Sequence, residues 1–415
     1  MSDKVVHTFN SKTLIKSNLR NYSMFIMLAL IMLIFGPLTN WRNFSGRNFT
    51  NIFFQFSYVL ILATGMVQCI IIQGIDLSVG SVCAFIGALS VKLYQTGVGI
   101  PVTLLVTLAL GFAIGAFQGW FIAYPKLPAF IVTLAGMLLF RGLTYIVTKL
   151  DPVNPQDDYY SYLATGTVDG ELFLIPPFTT EIYEDFMDIS SRTFFDYFPI
   201  PFIVGILVVI SLWIAEFTNR KKRIDNGFEV SPSGLFMTKL VFISILVMVF
   251  AERFARYRGM PIVVIIVAIT VGLFHFILKN TVMGRYIYAV GGNPRSAKLS
   301  GINTEFVTFI VFCIMGTLAG LAAVVFTGYM NSALPQAGNL FELDAIAACY
   351  IGGVSASGGI GTVIGVVVGG FVMAAINNGM SLMNLGAHFQ YVVKALILLA
   401  AVFYDVQSRR KAGLG

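Results

Sequence analysis

The chain reads as an all-α, polytopic membrane protein of about 10–12 transmembrane segments, some of them short or broken. Three observations carry this reading. Of 415 residues, 57% are hydrophobic and 11% charged, against roughly 25% charged in a typical soluble domain. The mean hydropathy of +0.82 is out of reach for a water-soluble globule of this length. Several runs approach or exceed the ~18–20 apolar residues that cross a ~30 Å hydrocarbon core.

In chain order, the apolar runs predict spans at 22–38, 50–72, 78–95, 100–123, 129–148, 200–217, 235–251, 261–278, 305–327, 342–354, 361–383 and 389–405. The tenth is short and interrupted by glycine, which suits a half-helix or re-entrant piece. The organisation that follows is a tail (1–21), an N-terminal bundle (22–149), an acidic insert (150–199) and further helices (200–283). A polar loop (284–304), a C-terminal bundle (305–405) and a second tail (406–415) complete it. The first 21 residues are polar and the first apolar run lacks a small-x-small cleavage site, so that run is expected to be retained as a span.

Orientation follows from the Lys/Arg bias of short loops. With the N-terminus in the cytoplasm, that side collects Lys4, Lys12, Lys16, Arg20, Lys126, Arg220-Lys221-Lys222-Arg223, Lys279, Arg285, Arg295, Lys298, Arg409, Arg410 and Lys411, sixteen in all. About seven remain outside, so both termini are expected in the cytoplasm. The net charge of +7 belongs to this topology and gives no argument for nucleic-acid binding. The insert differs in kind: Asp151, Asp157, Asp158, Asp169, Glu171, Glu181, Glu184, Asp185, Asp188 and Asp196 are ten of the chain's 20 acids, with Arg192 the one base. It is placed outside, and its aromatics and prolines suit a small ordered cap.

The most distinctive stretch is the island 284–303. It is polar, basic and rich in turn residues, and it lies between the apolar runs 261–278 and 306–327. Gly291-Gly292-Asn293-Pro294 signals a turn, and Pro294 suits the first position of a short helix. That helix would present Arg295, Lys298 and Leu299 for docking. Gly284, Arg285, Ala297, Ser300 and Gly301 complete the island as a candidate contact with another protein.

Catalytic chemistry is absent from the pattern. His7, His275 and His388 are scattered, no metal-ligand spacing occurs, and there is no Gly-Lys pair from which a phosphate-binding loop could be built. The chain is therefore expected to be neither an enzyme nor a holder of metal or cofactor; any ATP and Mg would be bound by a separate ATPase. Cys69, Cys83, Cys313 and Cys349 lie in apolar runs and read as buried fillers.

Charges inside apolar spans are costly. Arg141 interrupts span five, Lys394 enters span twelve, and Glu342 with Asp344 opens span ten. Arg141 and Lys394 either snorkel to a headgroup region or pair inside the bundle, where Asp344 or Glu342 is available. Gly111-x-x-x-Gly115-x-x-x-Gly119 and Gly361-x-x-x-Gly365-x-x-x-Gly369 are small-residue ladders that permit close helix approach in lipid; the second could also serve a dimer seam. Between spans two and three, Gly74 breaks one helix, and Asp76 or Ser78 can cap the next. Gln73, Asp76, Asn377, Asn378 and Ser381 are polar groups in or beside apolar spans, and so candidates for a translocation path or for interhelical contacts. Trp41, Trp120 and Trp213 fall near predicted span ends, as interfacial anchors do.

The combination of Gly74-Ile-Asp-Leu-Ser-Val-Gly-Ser81, the island Gly284 to Asn303, Glu342-Leu-Asp-Ala-Ile-Ala-Ala-Cys349 and Gly352-Gly-Val-Ser-Ala-Ser-Gly-Gly-Ile-Gly-Thr-Val-Ile-Gly365 resembles the monosaccharide permeases of bacterial ABC importers, most of all the xylose-type branch. The resemblance implies a membrane subunit paired with itself or a homologue. It also implies cytoplasmic ATPases, an external sugar-binding protein, and a coupling role for 284–303 in the bacterial inner membrane. The acidic insert departs from the shorter family pattern. An ion-coupled secondary transporter would want intramembrane acids and has no use for a basic docking loop. A membrane-embedded enzyme would want an acid–base or metal constellation.

Overall fold

A computed structural model describes residues 11–155, 158–168, 199–228, 230, 232–255, 257 and 259–411. Of the acids in the insert, Asp157, Asp169, Glu171, Glu181, Glu184, Asp185, Asp188 and Asp196 lie outside the described residues, as does Arg192. The described chain is almost wholly helical. Eight of its helices are long and apolar enough to cross a membrane.

The helices are α1 (Ser11–Leu38), α2 (Gly46–Ile71), α3 (Val79–Gln95), α4 (Ile100–Ala123), α5 (Ala129–Thr148) and the single turn α6 (Tyr162–Thr165). They continue with α7 (Pro199–Asp225), α8 (Ser233–Ala255), α9 (Ile262–Asn280), α10 (Val282–Gly292) and α11 (Pro294–Leu299). The last are α12 (Thr304–Met330), α13 (Phe341–Ile351), α14 (Val363–Leu382) and α15 (Ala387–Lys411). All twelve predicted spans coincide with a helix. The tenth is α13, whose 11 residues make about 16 Å of rise and cannot cross a bilayer.

Local chemistry sets the boundaries. Thr281, Asn293, Asn303 and Thr362 each accept a backbone N–H from the first turn of the helix they precede. Asn331 closes α12 in the left-handed conformation that asparagine tolerates. The start of α3 corrects an expectation. Ser78 occupies the cap position but makes no side-chain cap bond. The Asp76 carboxylate accepts from the N–H and hydroxyl of Ser78 instead, which closes a local turn and leaves the α3 terminus uncapped by either side chain.

The chain divides into two compact units. The larger comprises residues 27–43, 51–166 and 262–415. Its centre is α2, α12 and α14, where 94%, 67% and 83% of the apolar window is buried, against 22% for α4, α5 and α9. The outer helices thus keep a greasy face uncovered, as a lipid-facing helix does. α12 packs most extensively on α4, along a seam with almost no side chains between the backbones. A Cβ on Gly111 or Gly115 would lie 2.3 Å from a carbonyl of α12, and one on Gly316 would lie 2.2 Å from Gly111 O. Gly119 meets Phe312 Cβ at 3.0 Å.

The second ladder does not serve a dimer seam. Gly365 and Gly369 press on the carbonyls of Gly352 and Ala348 at the end of α13, and Gly361 precedes α14 and faces Val354 and Ile71. That surface is filled within the chain.

The smaller unit comprises residues 1–26, 44–50 and 167–261. Its described core is the α7–α8 hairpin, tied by Lys239 to Glu216 at 2.7 Å, Trp213 Nε1 to Ser244 Oγ at 2.8 Å, and the Arg220 guanidinium 4.6 Å over the Phe236 ring. α7 continues through a charged stretch to Asp225, and Trp213 bonds within the hairpin. Phe49, at the first turns of α2, stacks edge-on with Phe250 at 4.8 Å. Thr167–Val168 pairs antiparallel with Met260–Pro261.

Candidate functional site

Two polar places interrupt the apolar bulk of the larger unit. The first is formed by α10 and α11. Thr281 Oγ1 caps α10, and Gly284 sits so tightly on the end of α9 that a Cβ would be 2.2 Å from Leu278 O. At the other end of α10 a Cβ on Gly291 would be 1.9 Å from Ile71 O and 2.9 Å from Gly359 N. Gly359 N–H donates to Ile71 O at 2.9 Å, and Gln73 Nε2 donates at 2.9 Å to both Gly291 O and Ser357 O. Tyr288 donates its hydroxyl to Gly361 O at 2.7 Å, and burial raises the pKa of that hydroxyl above the ordinary tyrosine value, so it stays a donor. The last turn of α2, the end of α10 and the 355–361 loop are thus joined through their backbones.

Beyond this joint the chain turns outward. Asn293 Oδ1 accepts from Ser296 N–H at 3.0 Å and starts α11 with Pro294 in its first turn. Arg295 and Lys298 are exposed, and Leu299 is 90% exposed, a large apolar side chain that nothing among the described residues covers. Ala297 is buried and seats the helix. Ser300 and Gly301 (φ +82°) end it, and Asn303 then caps α12. Glu305 collects Lys298 at 2.7 Å and Lys126 at 3.6 Å, which ties the loop after α4 to α11. Arg285 lies on α10.

The second place is the break between α2 and α3. Ser78 Oγ lies 2.6 Å from Asp76 Oδ1 and 3.0 Å from the Gln118 amide. The hydroxyl has one proton for two acceptors. The charged carboxylate is the stronger acceptor and, at 2.6 Å, nearer than Gln118 Oε1 at 3.0 Å. Gln118 Nε2, at the other side of this buried amide, has no partner among the described residues. Gly136 leaves the room it needs, since a Cβ there would be 2.4 Å from Gln118. Thr133 Oγ1 shares its proton between Ala129 O at 2.9 Å and Ile75 O at 3.1 Å, the second a carbonyl that the break exposes.

Residues 48–402 match the family of the branched-chain amino acid transport system / permease component. The chain belongs to this permease family. It is 37% identical over 395 residues to the xylose transport system permease protein XylH of Haemophilus influenzae, covering 95% of this chain and 98% of that protein. To XylH of Escherichia coli it is 36% identical over 396 residues, 94% of each chain. To the ribose import permease protein RbsC of Escherichia coli it is 32% identical over 380 residues, 91% of this chain and 92% of that one. No solved structure matches the chain.

Within this permease the polar residues picked out as path candidates do not gather in one place. Gln73 belongs to the α10 joint, and Asp76 lies a few residues away in the break. Asn377 and Asn378 are buried on α14, about 20 Å of helix rise from its start. Neither amide atom of Asn377 has a partner among the described residues. Ser381 is exposed and 3.4 Å from Gln390 Nε2. Lys394 pairs with Asp344 at 2.9 Å, and Arg141 reaches backbone carbonyls in place of a carboxylate. Sequence reasoning missed Gln118, Gly136, Tyr288 and Gly338, whose signal is their distant partner and not a local pattern. The four cysteines are free and buried.

Proposed function

We propose that this chain is the membrane-spanning subunit of an ATP-driven, binding-protein-dependent importer of a monosaccharide, an aldose of the xylose type. The observation that carries the reading is end-to-end similarity, at 36–37% identity, to two proteins named xylose permeases, with a ribose permease next. The permease works in a bacterial inner membrane with both termini in the cytoplasm. It pairs with a second copy, takes sugar from an external binding protein, and leaves ATP and Mg to cytoplasmic ATPase subunits. It is a transport subunit and performs no catalysis of its own.

Residues 284–303 are the coupling element in this reading. The exposed Arg295, Lys298 and Leu299 of α11 dock in the ATPase, and closure of the ATPases pushes α11. The push reaches α10, which cannot yield at Gly291 without displacing Ile71 and Gly359. α2 and the loop leading to α14 therefore move with it. Asp76, Asn377, Asn378 and Ser381 remain candidates for the sugar path, and Gln73 transmits the push by bridging α10 to the 355–361 loop.

The test is uptake by proteoliposomes holding the permease, its ATPase and its binding protein, across aldopentoses and aldohexoses. ATP-dependent accumulation of one aldose is expected. Uptake driven by a proton gradient with the ATPase left out would overturn the proposal.

A further inference from the structure

Residues 331–340 join α12 to α13 as irregular backbone held at three points by three other parts of the chain. At the start, Val153 and Ala333 exchange both backbone hydrogen bonds, at 3.0 and 2.8 Å. In the middle, Arg141 Nη1 of α5 donates to the carbonyls of Ala337 and Pro335. Near the end, Gly338 (φ +73°) crosses the first turn of α3. A Cβ on Gly338 would lie 1.8 Å from Gly80 O, and one on Gly80 would lie 2.1 Å from Gly338 O and 2.7 Å from Glu342 Oε2. Leu340 then leads into α13 at φ +64°, a left-handed setting that a γ-branched residue takes only under constraint.

These features have one reading in common. An arginine in the middle of an apolar helix is costly, and here it satisfies carbonyls that a helix would have satisfied itself. The Ser332 hydroxyl is buried with no partner among the described residues. The segment thus combines a strained residue and an orphaned hydroxyl with clamps at discrete points, and Ala333 seats its start among Ala88, Val91 and Val324. Behind it, α13 is a half-helix whose start lies against the start of α3, so a shift of the segment would part the starts of two helices.

We propose that 331–340 is the gate of this permease and that Arg141 is the positioning residue that holds it shut. The proposal rests on the transport reading above. With the gate closed, Val153 and Ala333 are bridged and Arg141 engages Ala337; on opening, the bridge parts and the guanidinium releases the carbonyls.

The test replaces Val153 and Ala333 together by cysteine. A hydrogen-bonded antiparallel pair has Cα atoms ~5.5 Å apart, within disulfide range, and the native cysteines are buried. In proteoliposomes with ATPase and binding protein, the oxidised variant is expected to lose uptake and to regain it on reduction, which separates a locked gate from a misfolded one. Arg141→Met is expected to let preloaded sugar leak without ATP, with Arg141→Lys leaking less. Equal uptake by the oxidised and reduced pair, or an Arg141→Met permease that is tight and fully coupled, overturns the gate. Absence of uptake by the unmodified complex sinks the transport reading, and the gate with it.

Discussion

Gly291 and Gly292 are adjacent and chemically identical, yet they differ sharply in what a methyl group would meet. At Gly291 it would enter the carbonyl of Ile71 at 1.9 Å, whereas at Gly292 nothing lies within 4 Å. Overpacking of this kind costs about 1–3 kcal/mol. Gly291→Ala should therefore loosen the joint between α10 and α2, lowering the melting temperature of the purified permease and cutting uptake about ten-fold. Gly292→Ala should be neutral or slightly stabilising, because alanine restricts the unfolded chain. Matching effects of the two alanines in melting and uptake assays would contradict the backbone joint. Gly292→Glu separates surface from core: it should fold normally and weaken co-purification with the ATPase.

The Asp344–Lys394 pair poses a second question at this scale. Their side chains are 6% and 21% exposed at 2.9 Å, so the pair is largely withdrawn from solvent. Removing one partner from a buried pair costs about 3–5 kcal/mol, whereas replacing both by apolar groups can be neutral. Lys394→Met should destabilise the permease by that order, and Asp344→Leu with Lys394→Met should recover most of the loss. A double variant no more stable than the single one would show that the pair does more than hold α15 to α13.

At the scale of elements, the α4–α12 seam shows what the sequence could and could not disclose. The four-residue spacing of Gly111, Gly115 and Gly119 marked α4 as a packing surface, because small residues at that spacing fall on one helical face. It did not name the partner. Gly316 and Gly320 complete the seam against Gly111 O and Thr107 O, and no local pattern joins them to residues two hundred positions earlier. The other ladder likewise marked a packing surface without naming its partner: Gly365 and Gly369 pack on α13 of the same chain, and Gly361 lies just before α14. Gly111→Leu should force the helices apart and lower the melting temperature of the detergent-solubilised protein. Gly119→Ala, which meets Phe312 Cβ at 3.0 Å and Phe309 O at 3.1 Å, should lower it less. Equal losses from the two substitutions would mean that the seam is not the close approach described.

Across the whole molecule, the helices were legible because hydropathy and helix-end chemistry are properties of neighbouring residues. α4 and α5 begin and end where Gly99-Ile100-Pro101 and the Pro125 to Pro128 turn say they must. The island between α9 and α12 announced its short helix through Asn293-Pro294. What Gln73, Gln118 and Arg141 bond to was hidden, since their partners lie 40 to 284 positions away. The placement of the basic loops in the cytoplasm is a claim about the entire chain, and the turn after α7 tests it. Arg220 must be spared, because its guanidinium packs on Phe236 and reaches Ser233, so its loss would disturb the hairpin for reasons unrelated to topology. Lys221, Lys222 and Arg223 are exposed and can be changed together to glutamate, with Asn226→Cys in the exposed turn as a reporter. With the basic residues in place, that cysteine should react only with reagents that cross the membrane. With three glutamates, the Lys/Arg bias that retains this loop is weakened, and a fraction should react with impermeant reagent added outside. Labelling from one side only in both cases would show that the orientation is set elsewhere along the chain.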